Sequence, residues 1–423
     1  MKNFLLTFLL LPALNLHSQS PDHVYKSNIR TITLLKNGDP YYSYPVLKLN
    51  SGDAFELDFD DLDGDIKNYY YSYLLCNSDW TQADITSFEY IRGFQNVRIS
   101  NYRNSSIALT RYTHYQAPIP DANCFPTRSG NYLLKVFLDG DTSKLVFTKR
   151  FSVVDNQASV ATQVMQPYNS EKFRTYQKLR IGVTLTPTVN VLNQQDLKVV
   201  VIQNYAWSTA LYLNHPDIFR GNYFEYNNED VTSFPAGREW RWIDLSSLRL
   251  MSDRMQRLDK GGKVTEVYVR PDGERQKTPY IYNQDLNGGF TIENTDNVNP
   301  YWQSDYAKVH FSYFPPGNRP YEGKNLYVYG ALTDYKANDS SKMTFNPDRG
   351  AYERTLFLKQ GYYNYNYVTS NSSAAPGEIS LETTEGNYWA TENNYIVLVY
   401  YRAFGARADQ LIGYASLNSV LQR

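Results

Sequence analysis

Cysteine, histidine and helical periodicity are all scarce in this chain of 423 residues, and each shortage excludes something. There are two cysteines, Cys76 and Cys124, too few for a disulfide framework or a structural zinc site. In an oxidising compartment they make one bridge or stay as two thiols, and their spacing does not choose between these. Of the five histidines, His17 falls in the N-terminal apolar segment, and His23, His114, His215 and His310 stand far apart. No His-Glu-x-x-His pair, no Gly-x-Ser-x-Gly elbow and no phosphate-cradling glycine loop occurs, so no catalytic residue, cofactor site or metal ligand set is assigned. An excess of basic charge is also missing. Lys+Arg number 42 against 43 Asp+Glu, which leaves no footprint for nucleic acid. No segment after the N-terminus is long and apolar enough to span a bilayer as a helix.

The N-terminus reads as a secretory signal over residues 1–20: Lys2, an apolar run from Phe4 to Leu11, then small residues at Ser18 and Ser20. The run is too short for an anchor and no cysteine follows it for lipidation, so the expectation is export, with the mature chain starting at Gln19 or Pro21.

What is abundant is tyrosine, 39 residues against 20 Phe and 6 Trp. A tyrosine ring packs while its hydroxyl reaches water or a partner, which suits strands buried on one face. Alternation runs from end to end. Phe55, Leu57 and Phe59 alternate with Glu56 and Asp58; Leu179, Ile181, Val183 and Leu185 with Arg180, Gly182 and Thr184; Tyr363, Tyr365 and Tyr367 with Asn364 and Asn366. Turn signals lie between such runs at Asn37-Gly38, Asp63-Gly64, Asp139-Gly140, Asp272-Gly273 and Asn287-Gly288-Gly289. The best helical spacing, Leu245, Leu248, Ser252, Met255 and Leu258, suggests a short helix. The fold expected is all-β, tandem immunoglobulin-like or early-set sandwiches. Three units follow the signal: residues 21–155, 156–302 and 303–423. With no low-complexity tract between them, the arrangement should be fairly rigid.

Three clusters invite a functional reading. The acidic run Asp58 to Asp65 fails as a calcium loop, because placing Gly64 at the sixth position puts Phe59 and Tyr70 where carboxylates are needed. It reads instead as a strand with outward acidic positions entering a glycine turn. Glu229-Asp230 reads as a solvated loop. Tyr69-Tyr70-Tyr71-Ser72-Tyr73, followed by Trp80, reads as half core and half exposed edge.

Several segments, in order, carry a resemblance. "FDDLDGDIKNYYYSYLLCNSDW" (59–80), "FEYIRGF" (88–94), "YTHYQAPIP" (112–120), "SGNYLLKVF" (129–137) and "KRFSVVD" (149–155) resemble the first domain of the type IX secretion system plug protein family. "QPYNSEKFRTYQKL" (166–179), "AGREWRWIDLSSLR" (236–249) and "YYRAFGARADQLIGYASLNS" (401–419) resemble its later regions; Asn77 departs from an acidic residue more usual there. The resemblance implies a non-catalytic periplasmic protein of a Gram-negative cell, associated with the outer membrane through its partner. That partner is the translocon β-barrel, whose periplasmic mouth it closes by reversible protein–protein contact. It supplies no contact residues. The last unit also resembles early-set modules that bind starch or glycogen, in "LYVYGALTDY" (326–335), Met343, "GAYERTLFL" (350–358) and "GYYNYNYV" (361–368). There Tyr335 stands where those modules carry a sugar-stacking Trp. A glycan-binding or adhesion protein is therefore the alternative, with at most weak carbohydrate binding.

Overall fold

The computed structural model describes residues 21–36, 43–373 and 378–420. The expected signal segment and the Asn37-Gly38 turn lie outside them. Among the described residues no helix is long and apolar enough to cross a membrane. Their one α-helical element is the single turn Glu229–Thr232, and nearly everything else regular is strand.

In the first unit, one sheet joins His23–Val24, Leu145–Val154, Gly130–Leu138, Tyr69–Cys76 and Val97–Arg98. The facing sheet joins Ile29–Lys36, Phe55–Asp61, Thr113–Ile119 and Asn101–Asn104. Period-two alternation drives the packing between them. Tyr69, Tyr71, Tyr73 and Leu75 point inward while Tyr70, Ser72 and Leu74 are half-covered, as the half-core reading of this run required. Phe59 fills the centre, with the rings of Tyr69, Tyr115 and Phe147 each 5.1 Å away. Cys76 and Cys124 are both buried and unbridged, and burial pushes each thiol up to about 12.

The strand pairing crosses the boundary expected at 302/303. Leu197–Gln203 pairs antiparallel with Asn394–Tyr401, which pairs in turn with Gln410–Asn418. These last two strands complete the sheet that packs on Ala158–Met165 and Tyr176–Leu185, giving one core of Leu179, Ile181, Val199, Val201, Val397 and Ile412. Conversely, Arg241–Asp244 and Phe290–Thr291 pair with Tyr362–Asn371, and Thr265–Val269 lies parallel to Tyr306–Phe314. They share a core with Ile243, Val267, Phe311 and Tyr365. The third unit is thus inserted within the second, over roughly residues 237 to 391. Alternation reports which face of a strand is buried but not which strand lies beside it, so a division drawn along the chain missed the return. The suggested helix after Leu245 is likewise a correction. Leu245 and Leu248 are buried loop residues, and Met255–Asp259 is a strand whose phase merely coincides with helical spacing.

Each unit packs against the other two. First and second meet through Tyr44 and Val154 against Val200, Ile396, Leu398, Tyr400 and Leu411. The buried Asp409 accepts there from the Ser78 amide (2.9 Å) and hydroxyl (2.7 Å) and from Arg402 Nε (2.7 Å). Second and third meet where Ala206 and Tyr205 pack on Trp240, Tyr329 and Tyr335. Within the third unit Gly288 lets the backbone pass against that Trp240: at φ +84°, a Cβ there would lie 2.6 Å from the ring.

First and third meet over the acidic strand. Asp58 and Asp60 are buried rather than turned to solvent, because the third unit covers the face they occupy; Asp61, on the other face, is buried within the first unit against Asn28, Lys67 and Tyr69. Asp60 accepts from Lys359 Nζ (2.5 Å), Tyr306 Oη (2.6 Å) and His114 Nδ1 (2.8 Å), and His114 Nε2 lies 3.2 Å from Asp58.

Two outcomes follow. A fragment 303–423 lacks Arg241–Asp244, Thr265–Val269 and Phe290–Thr291 and should be unfolded by circular dichroism and amide dispersion, whereas 237–391 should fold; a folded 303–423 would refute this pairing. Removing the carboxylate in Asp60→Ala strands the buried Lys359 ammonium and should cost about 3–5 kcal/mol in chemical denaturation. Asp60→Leu combined with Lys359→Met should recover most of that loss.

Candidate partner-binding surface

Deeply buried charges tie the units of this protein together, and two groups of exposed apolar side chains stand on its loops. Asp60 is under opposing influences: burial raises its carboxyl, but Lys359 and His114 outweigh this and hold it below the ordinary 3.8. Burial also pulls His114 down, yet its hydrogen bonds to Asp58 and Asp60 win and raise it above 6.5. In the third unit, Glu385 accepts from Arg241 Nε (3.0 Å), Arg275 and the Tyr367 amide (2.9 Å). Asp272 accepts from Arg241 (2.7 Å), Arg254 (2.6 Å), Tyr365 (2.8 Å) and Tyr367 (3.0 Å). Carboxylates so fully engaged serve packing, not proton transfer.

The acidic turn brings Asp61, Asp63 and Asp65 within 4.8 Å of one another, a grouping that can hold a cation. Lys67 supplies that cation from the same loop, with Nζ 2.8 Å from Asp61, 3.3 Å from Asp65 and in contact with Asp63. Glu229, read as a solvated loop residue, caps the neighbouring 168–169 backbone through both carboxylate oxygens. Tyr335, the candidate sugar-stacking residue, is buried, with its ring edge-on to Trp240 (6.4 Å) and Tyr329 (5.7 Å). Its face belongs to the junction between units, so the residue singled out for a glycan presents no open platform.

The surface with the composition of a protein contact lies where the first and second units join. The loop after Cys76 makes the 3-10 turn Ser87–Glu89, in which Glu89 Oε1 accepts from the Thr86 amide (3.2 Å) and hydroxyl (3.3 Å). That turn lifts Phe88 to 81% exposure. Ile91–Gly93 then pairs with Cys124–Pro126. Gly93 (φ +96°) passes so close to Asn123 that a Cβ would lie 2.0 Å from its carbonyl oxygen. The next amide donates to that oxygen at 2.7 Å, and Phe94 is turned out at 66% exposure.

From the second unit, the 402–409 loop is tied alongside by Arg407, 2.6 Å from Glu89 Oε2. The Thr86 amide and Arg407 hold Glu89 below the ordinary carboxylate range. This loop carries Phe404, 94% exposed, and the Arg402 amide donates to Asp196 O (3.0 Å) in the neighbouring loop that displays Leu192. Arg92 and Arg128 flank the group, both exposed. Exposed phenylalanines ringed by arginines have the makeup of protein-interface anchors, and backbone pinning lowers the ordering cost of binding. Sequence reading quoted the segments holding Phe88, Phe94 and Phe404 without identifying a surface. The usable signal was phenylalanine beside glycine, in Gly93-Phe94 and Phe404-Gly405.

Because His114 is raised on folding, its contribution to stability is fully present below its unfolded value near 6.5 and is lost as pH rises through its higher folded value. Denaturation midpoints measured upward from pH 6 should fall, and His114→Asn should flatten that slope; an unchanged slope would contradict the assignment.

Residues 29–155 match the sequence model of the Type 9 secretion system plug protein 1st domain. Over nearly its whole length the chain is similar in structure to a hypothetical protein from Parabacteroides merdae ATCC 43184, known from a crystal structure. The TM-score is 0.89 at 29% identity, covering 94% of this chain and 98% of that one. No curated protein matches the sequence.

Proposed function

We propose that this chain is a non-catalytic plug that binds and occludes the periplasmic opening of the type IX secretion translocon, an outer-membrane β-barrel, by reversible protein–protein contact. The observation that carries the reading is the match of residues 29–155 to the plug first domain. The architecture supports it, since three mutually packed β-units behave as one stiff body, which an occluding part requires. In this reading the units are immunoglobulin-like sandwiches, the third inserted within the second, and the chain acts in the periplasm after export by its N-terminal signal.

Phe88, Phe94 and Phe404 are the proposed anchors. Each phenylalanine buries about 150–250 Å², so together they supply on the order of 500 Å² of a standard footprint of about 800 Å² per partner. A contact of that size holds, yet a competing partner can displace it. The glycan alternative gains no support from the buried Tyr335.

The test is co-purification. The tagged mature chain should bring down a large outer-membrane barrel under mild extraction. Phe88→Ser combined with Phe404→Ser should cut recovery about tenfold or more with an unchanged melting temperature, as expected for interface hot spots. Recovering only free chain from the wild type would remove the plug reading.

A further inference from the structure

The opposite end of the first unit carries a different kind of surface. Tyr69 pairs with Leu138 at one end of its sheet and Cys76 with Asn131 at the other. Asp61 and Thr113 lie beside Tyr69, while Phe88 and Phe94 follow Cys76. At about 3.3 Å per residue the two ends are about 25 Å apart.

At the Tyr69 end, loop 105–112 of the first unit meets loop 292–305 of the third, which is itself tied to loop 245–254. Asp305 accepts from the Leu109 and Thr110 amides (3.0 Å each), and the Ser106 amide donates to Trp302 O (2.8 Å). Asp296 accepts from Ser247 Oγ (2.7 Å) and the Leu248 amide (2.9 Å). The loops are therefore fixed to one another, and both carboxylates are occupied by these bonds. What they display is aliphatic: Ile107, Leu109, Leu250, Met251 and Val298, between 53% and 96% exposed. Exposure of that order means the side chains stand clear as tips and do not line a groove. Arg103 lies 4.7 Å over the Trp302 ring, and Arg249, exposed between Leu248 and Leu250, makes no ion pair among the described residues.

Rigid aliphatic tips with a Trp–Arg collar fit a lipid surface better than a protein face. Hydrocarbon accepts such tips without shape complementarity, and guanidinium groups reach headgroup phosphates as the tips enter. Protein contacts favour the aromatic makeup found at the other end. We infer that this end docks on a phospholipid surface, with the tips at the headgroup boundary and no span. Exposed Asp253 and Glu293 offset the arginines, so insertion and not long-range attraction carries the contact. This inference goes beyond the plug reading and does not depend on it.

Flotation of the mature chain with phosphatidylethanolamine vesicles containing one quarter phosphatidylglycerol tests it. The wild type should float, with little change on adding salt. Leu250→Ser, Met251→Ser and Val298→Ser together should reduce the floated fraction about tenfold, and Val298→Trp should raise it. Phe404→Ser should float like the wild type. A wild type that stays at the bottom, or a triple variant that floats equally well, overturns the inference. So does a triple variant that loses capture of the barrel in detergent, which would make this end a protein contact. Wild type that floats but captures no barrel would instead count against the plug.

Discussion

Asp60 and Lys359 are 299 residues apart in sequence and 2.5 Å apart in space, each almost wholly removed from water. Such a pair survives only with its remaining lone pairs and protons satisfied. Here Tyr306, His114 and the Tyr301 carbonyl do so. The contact closes the third side of a ring whose other sides are the Asp409 junction and the Trp240 cluster. A chain of units joined end to end would bend at each linker. Units that each touch two others have no free hinge, and the insertion of the third within the second adds a double connection.

That stiffness gives the surface side chains their meaning. Phe88 and Phe404 come from different units and share a surface because Arg407 reaches Glu89 and Ser78 and Asn77 hold Asp409 and Arg402 of the same loop. Ile107 and Val298 also come from different units, joined through Asp305 and Trp302. Ordering these groups in advance removes much of the entropy that binding would otherwise cost, so modest apolar areas suffice. One end is aromatic and the other aliphatic, and the sandwich between them sets their separation.

Sequence reading placed individual strands well. The alternating runs at Phe55 to Phe59, Leu179 to Leu185 and Tyr363 to Tyr367 are strands, because alternation is a local property. It went wrong where the outcome depended on what came to lie against a face. Asp58 and Asp60 look like solvent-facing acids, and Tyr335 looks like a free platform, until other units cover them.

By itself, then, the sequence determined the strand content, the tyrosine-lined cores, the absence of catalytic motifs and a likeness carried by segments spread across most of the chain. The tertiary structure alone decided that residues 394–418 return to the second unit, that buried acids face Lys359, and which phenylalanines share a surface. The physical reason is range: a two-residue period fixes a side chain's face from its neighbours, whereas pairing and burial depend on segments hundreds of residues away.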